Sequence, residues 1–394
     1  MKYISIAPSP QTYIGWGSIE KLPECIKMFG SRVLLVADPI LIKTGVVDKI
    51  VAAIKSNGFD YDLYTGIIPE PMLETGETLV AFARNGNYSL VIGIGGGSAL
   101  DMAKLAAVFT GNSGALKDYL NLSGTLKIEK PGLPNILIPT TSGTGAEVTN
   151  ISVLALENTK DIIMHDYMLA DIAIVDPELT LTVPPRVTAA TGADALTHAI
   201  EAYISVNANP YSDSLALQAL RLIGGSLKRA VTNGNDRAAR TDMAYGSYLA
   251  GLSFFNAGVG AIHALAYPLG GQFHLSHGES NAVLIPYVLR YIRKTCPSRL
   301  GSILQALTGE YLQLDENAAS VQCVETLATL VSEIGIPATL VGFGISSAAT
   351  KSLTIDGIKQ KRLLARCPMQ LAEVDIFRIY EAAIAGTFVE AQDS

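Results

Sequence analysis

The stretch SLVIGIGGGSALDMAK, residues 89–104, decides how the first half of the chain is read. A β-branched apolar run, SLVIGI, gives way to Gly95, Gly96 and Gly97, and then to SALDMAKLAAVF, where apolar residues recur at helical spacing. Strand, glycine turn and helix in that order place free backbone N–H groups and a partial positive charge at the helix start, where a pyrophosphate fits. Glycine lets the backbone approach such a ligand with no Cβ in between. Ser98, with Asp101 three residues on, is expected to cap the helix in a capping box. The spacing is not the G-x-G-x-x-G fingerprint, so a glycine turn without a ligand stays open on this stretch alone.

The alternation continues outward on both sides. RVLLVAD (32–38), YDLYTGI (61–67), NILIP (135–139) and DIAIVDP (171–177) read as strands; TGVVDKIVAAIKSNG (44–58) and ETGETLVAFARNG (74–86) read as helices. Strands alternating with helices imply βαβ units and a largely parallel sheet. Between Asn150 and His165 the pattern weakens into something like a hairpin. After Pro184-Pro185 the strand signal fades, and Ala/Leu-rich helical stretches follow at 186–206, 211–232, 236–254, 257 onward, 298–308, 317–334 and 370–385. The expectation is an α/β dinucleotide-binding domain over 1–185 and an all-helical domain over 186–394, with ligands in the cleft between them.

Composition narrows the function classes. Of 394 residues 49% are hydrophobic and only 16% charged, which excludes a disordered chain. A net charge of −7 with no Lys/Arg run gives no footprint for nucleic acid or an anionic membrane. Four scattered cysteines fit reduced thiols better than a disulfide frame. The N-terminus lacks a signal-peptide core, and no apolar run reaches the ~18 residues of a membrane span. A soluble cytoplasmic protein is expected.

Two features support a dinucleotide in the first domain. Asp38 ends a strand where a carboxylate can accept hydrogen bonds from ribose hydroxyls and repel a 2′-phosphate, which favours NAD over NADP. A plain turn-starting Asp before Pro39 is the competing reading. The loop PTTSGTGAE (139–147) follows another strand and offers Thr140, Thr141, Ser142 and Thr144 to phosphate or ribose oxygens.

The second domain holds a candidate metal site. In TGADALTHAIEAY (191–203), Asp194 and His198 are i and i+4, one turn apart on one helix face. A solvated stripe of Asp194, His198 and Glu201 is the alternative. Three of the chain's five histidines fall in HALAYPLGGQFHLSH, residues 263–277. Pro268 and Gly270-Gly271, with the turn-like LSHGES (275–280), are places for that segment to kink or reverse, so that His263 and His277 converge on an ion held by Asp194 and His198. His274 competes with His277, but Gly278 after His277 permits close backbone approach and favours the latter. One carboxylate with three imidazoles suits Fe²⁺ or Zn²⁺ and not Mg²⁺ or Ca²⁺.

Taken in order, GGGSALDMAK, PTTSGTGAEVTN, GADALTHAIEAY and HALAYPLGGQFHLSHGESNAVLIPY, preceded by GWGSIEKL, resemble the iron-containing (group III) NAD-dependent alcohol dehydrogenases over nearly the whole chain. The resemblance implies a Rossmann-like N-terminal domain with a parallel sheet plus an all-helical C-terminal domain, the dehydroquinate synthase-like fold. It implies metal ligands at Asp194, His198, His263 and His277. It implies NAD contacts at Asp38, Gly95, Gly96, Gly97, Ser98, Thr140, Thr141, Thr144, Lys160 and Leu179. The cofactors would be NAD and Fe²⁺, with Zn²⁺ as the other option, in a homodimer or higher homo-oligomer. The activity implied is hydride transfer between NAD(H) and a primary or small secondary alcohol/aldehyde pair. A hydroxyacid–oxoacid transhydrogenase with tightly held cofactor is the alternative, and it would turn over without added NAD. A lyase similar to dehydroquinate synthases would want an additional Lys/Arg cluster near these motifs.

One position departs from the pattern. Four residues after His263, where members similar to lactaldehyde reductase carry histidine, this chain has Tyr267. Spacing from His263 points it at the metal pocket. A phenol with an ordinary pKa near 10 is a poor base at neutral pH. Tyr267 is therefore read as a site residue that shapes the pocket or hydrogen-bonds within it, with a proton relay, its pKa depressed by the metal, as the alternative.

Overall fold

The computed structural model describes residues 4–156, 160–311 and 313–391. The chain divides into two compact units, one spanning Pro8–Val183 and the other running from Pro184 onward together with the segment ending at Ala7. The boundary thus falls before Pro184 rather than after Pro185, because Pro184 is already the N-cap of a helix that starts at Pro185. The grouping of the first residues with the helical unit was not expected; the Ala7 N–H donates to Asn256 Oδ1 at 2.9 Å.

The α/β unit contains, in order, β1 (Gln11–Ile14), α1 (Leu22–Lys27), β2 (Arg32–Ala37), α2 (Ile40–Lys43), α3 (Val46–Ser56), β3 (Asp60–Tyr64), α4 (Leu73–Asn85), β4 (Leu90–Gly95), α5 (Gly97–Val108), β5 (Asn135–Pro139), β6 (Ile151–Ala155), β7 (Lys160–Met164) and β8 (Ile172–Val175). Six strands form one parallel sheet in the order β1-β8-β5-β4-β2-β3. Strands β4, β5 and β8 are buried throughout, which is why their sequences read as continuous apolar runs rather than alternating ones. From β2 the chain passes outward to β3, and after β4 it builds on the other side through β5. The adjacent pair β2–β4, in register with Ala37 opposite Ile94, is therefore the switch point of the sheet, where ligands of such folds bind beyond the strand ends. β6 and β7 form a separate antiparallel hairpin, Ile151 opposite Met164.

The capping box expected at α5 does not form. Its N-cap is Gly96, with no side-chain cap, and Ser98 Oγ instead accepts the Glu70 N–H at 3.3 Å. Asp101 is buried: Oδ1 meets Lys104 Nζ at 3.1 Å and Oδ2 accepts the Val153 N–H at 2.9 Å. Lys104, wholly buried, also donates to Thr149 Oγ1 and the Ile151 carbonyl. A buried lysine needs such partners, and satisfying it took Asp101 away from the helix start.

The helical unit comprises α6 (Pro185–Ile204), α7 (Pro210–Thr232), α8 (Arg237–Ala257), α9 (Ala261–Phe273), α10 (His277–Ile292), α11 (Pro297–Thr308), α12 (Glu316–Glu333), α13 (Thr350–Gly357), α14 (Lys361–Leu364) and α15 (Glu373–Ala385). A single large core of Ala, Leu and Ile side chains from these helices fills it. Between α8 and α9 the chain turns by 106°. Of the places expected to bend, Pro268 and the Gly270-Gly271 pair stay helical, and the reversal falls at the edge of the LSHGES segment. α9 runs through both to Phe273, and the chain reverses at His274, whose left-handed φ of 56° ends the helix, followed by Leu275 and Ser276. All four cysteines are buried and free. No single helix among the described residues is long and apolar enough to cross a membrane.

Candidate metal centre and cofactor cradle

The metal candidates all lie in the helical unit, on three helices. α6 carries Asp194 and His198 one turn apart, α9 carries His263 in its first turn, and α10 opens with His277. From Asp194 Oδ1 the distances are 3.9 Å to His198 Nε2, 3.7 Å to His263 Nε2 and 3.6 Å to His277 Nε2. The ligand atoms of Asp194, His263 and His277 all lie within 4.8 Å of one another. Bonds of about 2.1 Å to one ion put tetrahedral donors roughly 3.4 Å apart, so this spacing fits a single divalent cation. Asp194, His198 and His263 are buried, while the His277 side chain stays 29% exposed and leaves an approach to the centre.

Close packing brings the fourth residue in. A side-chain carbon at Gly278 would lie 2.0 Å from the Ala190 carbonyl oxygen, so only glycine lets the start of α10 rest on α6. Arg186 Nε, at the start of α6, donates to Glu279 Oε1 at 2.9 Å and fastens the same two helix ends together. His274 is exposed and caps α9 with its own N–H to the Gly270 carbonyl.

Glu201 is not a solvated residue. It is 2% exposed, and its Oε2 lies 2.6 Å from His263 Nδ1. The same carboxylate accepts the Ile262 and His263 N–H groups, satisfying the open first turn of α9. The hydrogen bond places the imidazole proton on Nδ1 and leaves a lone pair on Nε2, the form a metal needs. Phe254 stacks on His198 with ring centroids 4.2 Å apart. The Tyr267 ring is half-buried, 5.9 Å from that of His277. Burial pushes the Asp194 carboxyl up, but the three histidines and the Asn281 amide outweigh it and hold the group below its ordinary range. A buried carboxylate oxygen ringed by three imidazole nitrogens is a donor set that could hold a divalent cation once the imidazoles are neutral.

Sequence reasoning missed Asn281. It sits one turn after His277 on α10, wholly buried, and its Nδ2 donates to Asp194 Oδ1 at 2.8 Å. Helical i+4 spacing from a candidate ligand was the signal that pointed to it.

The cofactor candidates lie in the α/β unit. Gly95 takes a φ of 149°, and a carbon added there would crowd Asp38 Cβ at 3.1 Å, so Asp38 and the glycine turn stand side by side at the sheet's switch point. A carbon on Gly97 would lie 2.7 Å from Thr144 Cγ2, and one on Gly96 would lie 3.6 Å from Thr141 Oγ1. The two loops therefore face each other as one cradle. Asp38 Oδ1 accepts the Ile40 N–H at 3.0 Å, the turn role weighed against ribose binding, and Oδ2 remains for a second partner. Thr140 is buried, its N–H on the Gly95 carbonyl. Lys160 pairs with Glu70 at 2.8 Å beside Ser98. Leu179 puts its side chain in the core at 3% exposure.

The sequence profile described as iron-containing alcohol dehydrogenase matches residues 9–177, and that of the Fe-containing alcohol dehydrogenase family, C-terminal, matches 188–384. Long-chain-alcohol dehydrogenase 1 of Geobacillus thermodenitrificans is 60% identical over 391 residues, covering 99% of both chains. A crystal structure of 1,3-propanediol oxidoreductase superimposes with a TM-score of 0.92 at 32% identity, covering 97% of this chain and 100% of that one. Sulfoacetaldehyde reductase from Bifidobacterium kashiwanohense, solved in complex with NAD+, gives 0.85 at 25% identity, covering 97% and 99%. These relatives favour alcohol–aldehyde chemistry over hydroxyacid–oxoacid transhydrogenation. The chain belongs to the iron-containing alcohol dehydrogenase family and is an alcohol–aldehyde oxidoreductase.

Proposed function

We propose that this enzyme interconverts primary alcohols and aldehydes with NAD(H), using Fe²⁺ held by Asp194, His198, His263 and His277, and that its substrates include long aliphatic chains. The observation that carries the reading is the convergence of three imidazole Nε2 atoms within 3.6–3.9 Å of one buried carboxylate oxygen. When bound, the ion supplies a Lewis acid for the substrate oxygen, and the nicotinamide carries the hydride.

The chain's own residues do the rest. Glu201 fixes the His263 tautomer and Phe254 fixes the plane of His198. Asp194 supplies the one negative charge of the donor set. Gly95 to Gly97, Ser98, Thr141 and Thr144 receive the pyrophosphate and adjoining ribose, and the second oxygen of Asp38 receives the ribose that distinguishes NAD from NADP. Tyr267 and Phe254 present half-buried rings beside the imidazoles, walls suited to an alkyl chain. The name of the 60% identical relative supports the long-chain substrate, and the family resemblance supports a homodimer or larger assembly.

The test is anaerobic purification with metal analysis, followed by NAD reduction across a homologous series of primary alcohols from ethanol to hexadecanol. Stoichiometric iron and activity that rises with chain length are expected. A protein active without metal, or confined to the shortest alcohols, would overturn the corresponding part of the proposal.

A further inference from the structure

Asn281, on α10, reaches candidate ligands on all three ligand-bearing helices. Its Nδ2 is 2.8 Å from Asp194 Oδ1 on α6, 3.2 Å from His263 Nε2 on α9 and 3.4 Å from His277 Nε2 on its own helix. The other end of the same carboxamide, Oδ1, is buried with no hydrogen-bond partner. The amide nitrogen faces the Asp194 carboxylate oxygen, which can only accept, and that acceptor orients the buried amide. Turning it over would satisfy nothing at the centre. It would set the carboxamide oxygen against an ionised carboxylate oxygen and against the lone pair that Glu201 leaves on His263.

From this geometry we infer that Asn281 is a positioning residue of the metal centre, a fixed N–H donor that holds Asp194 Oδ1 toward the imidazoles. The inference rests on the metal reading above. The donor acts on Asp194 from a helix other than its own, so it locks the register of α10 against α6 at the level of single atoms. Gly278 and the Arg186–Glu279 pair do the same for the backbone at the helix ends. Donation to one carboxylate oxygen also withdraws charge from it, which tunes how strongly that oxygen donates to a cation.

Co²⁺ is the probe, titrated into the metal-stripped full-length enzyme, with affinity, visible absorption and thermal stability read in each variant. Asn281→Ala should weaken Co²⁺ binding by about 10- to 100-fold, the usual effect of losing such a partner, and should alter the visible bands. Asn281→Asp keeps the shape, removes the donor and adds a like charge beside Asp194. Its melting temperature should rise more on adding Co²⁺ than that of the parent, because the cation then also relieves the carboxylate pair. A purely structural asparagine would lower the melting temperature equally with and without Co²⁺ and leave affinity and spectrum unchanged; that result in either variant overturns the inference. If the parent enzyme itself binds no Co²⁺, the metal reading fails, and this inference with it.

Discussion

Asp194 in the helical unit and Glu147 in the α/β unit are both 2% exposed, yet the two carboxyls move in opposite directions. Glu147 is pushed up to about 7 by burial, only weakly countered by its own backbone N–H and by Lys104. Asp194 meets the same burial and ends below its ordinary range, because three imidazoles and the Asn281 amide face it. Burial by itself yields a carboxyl that holds its proton; burial beside three imidazoles and an amide N–H yields a carboxylate. The two regions differ in the same sense as sites. The candidate metal centre is built by side chains reaching inward from three helices, whereas the candidate cofactor cradle is built by side chains left out at Gly95 to Gly97.

The largest effect should come from breaking the helical cluster. His263→Ala should reduce metal content and lower turnover on the order of 10³-fold or more, with an unchanged circular dichroism spectrum. Metal and activity at parental levels would remove His263 from the ligand set.

Glu147 tests the other carboxyl. Its folded pKa lies above the ordinary 4.5, so its contribution to stability is intact below pH 4.5 and is lost as the pH rises toward 7. At ~1.4 kcal/mol per pH unit the loss approaches roughly 3 kcal/mol above neutrality. Glu147→Gln should flatten that slope and raise stability at pH 8, measured by denaturant unfolding across the pH range. An identical slope in the variant would mean that Glu147 is not the titrating group.

Smaller changes separate cradle from centre. Gly97→Ala forces a methyl group against Thr144 and should raise the KM for NAD about tenfold while leaving metal content alone. A lowered metal content instead would show that the two sites are not independent. Asp38→Ala should shift the NAD-to-NADP preference by only a few-fold, roughly 1 kcal/mol, since one of its oxygens is already engaged by the Ile40 N–H. An unchanged ratio would leave Asp38 a turn residue alone.

Much of this was legible in the chain. The apolar runs at 90–95 and 135–139 become buried parallel strands because helices cover both faces, and that demand shows in composition. Asp194 and His198 could be paired by helical spacing, and Gly278 marked where two backbones touch. The Ser98–Asp101 capping box was misread, because a local motif lost to the need to satisfy buried Lys104, whose partners come from residues 149–151. The turn within 263–277 was legible only in part, as one of three places that could bend. Proline and glycine permit a bend, but α9 stays helical through them and the reversal falls at His274.

The two kinds of unit, the glycine turn and the identities of the metal candidates could be read from residue order alone, because periodicity and residue chemistry are local properties. That Glu201 orients His263 and that Asn281 reaches Asp194, partners 62 and 87 residues apart, emerged with the packed fold. It alone decided that Leu179 belongs to the core. Hydrogen bonds across such separations depend on how helices pack, and packing is settled by the whole set of buried side chains together, not by any window of the chain.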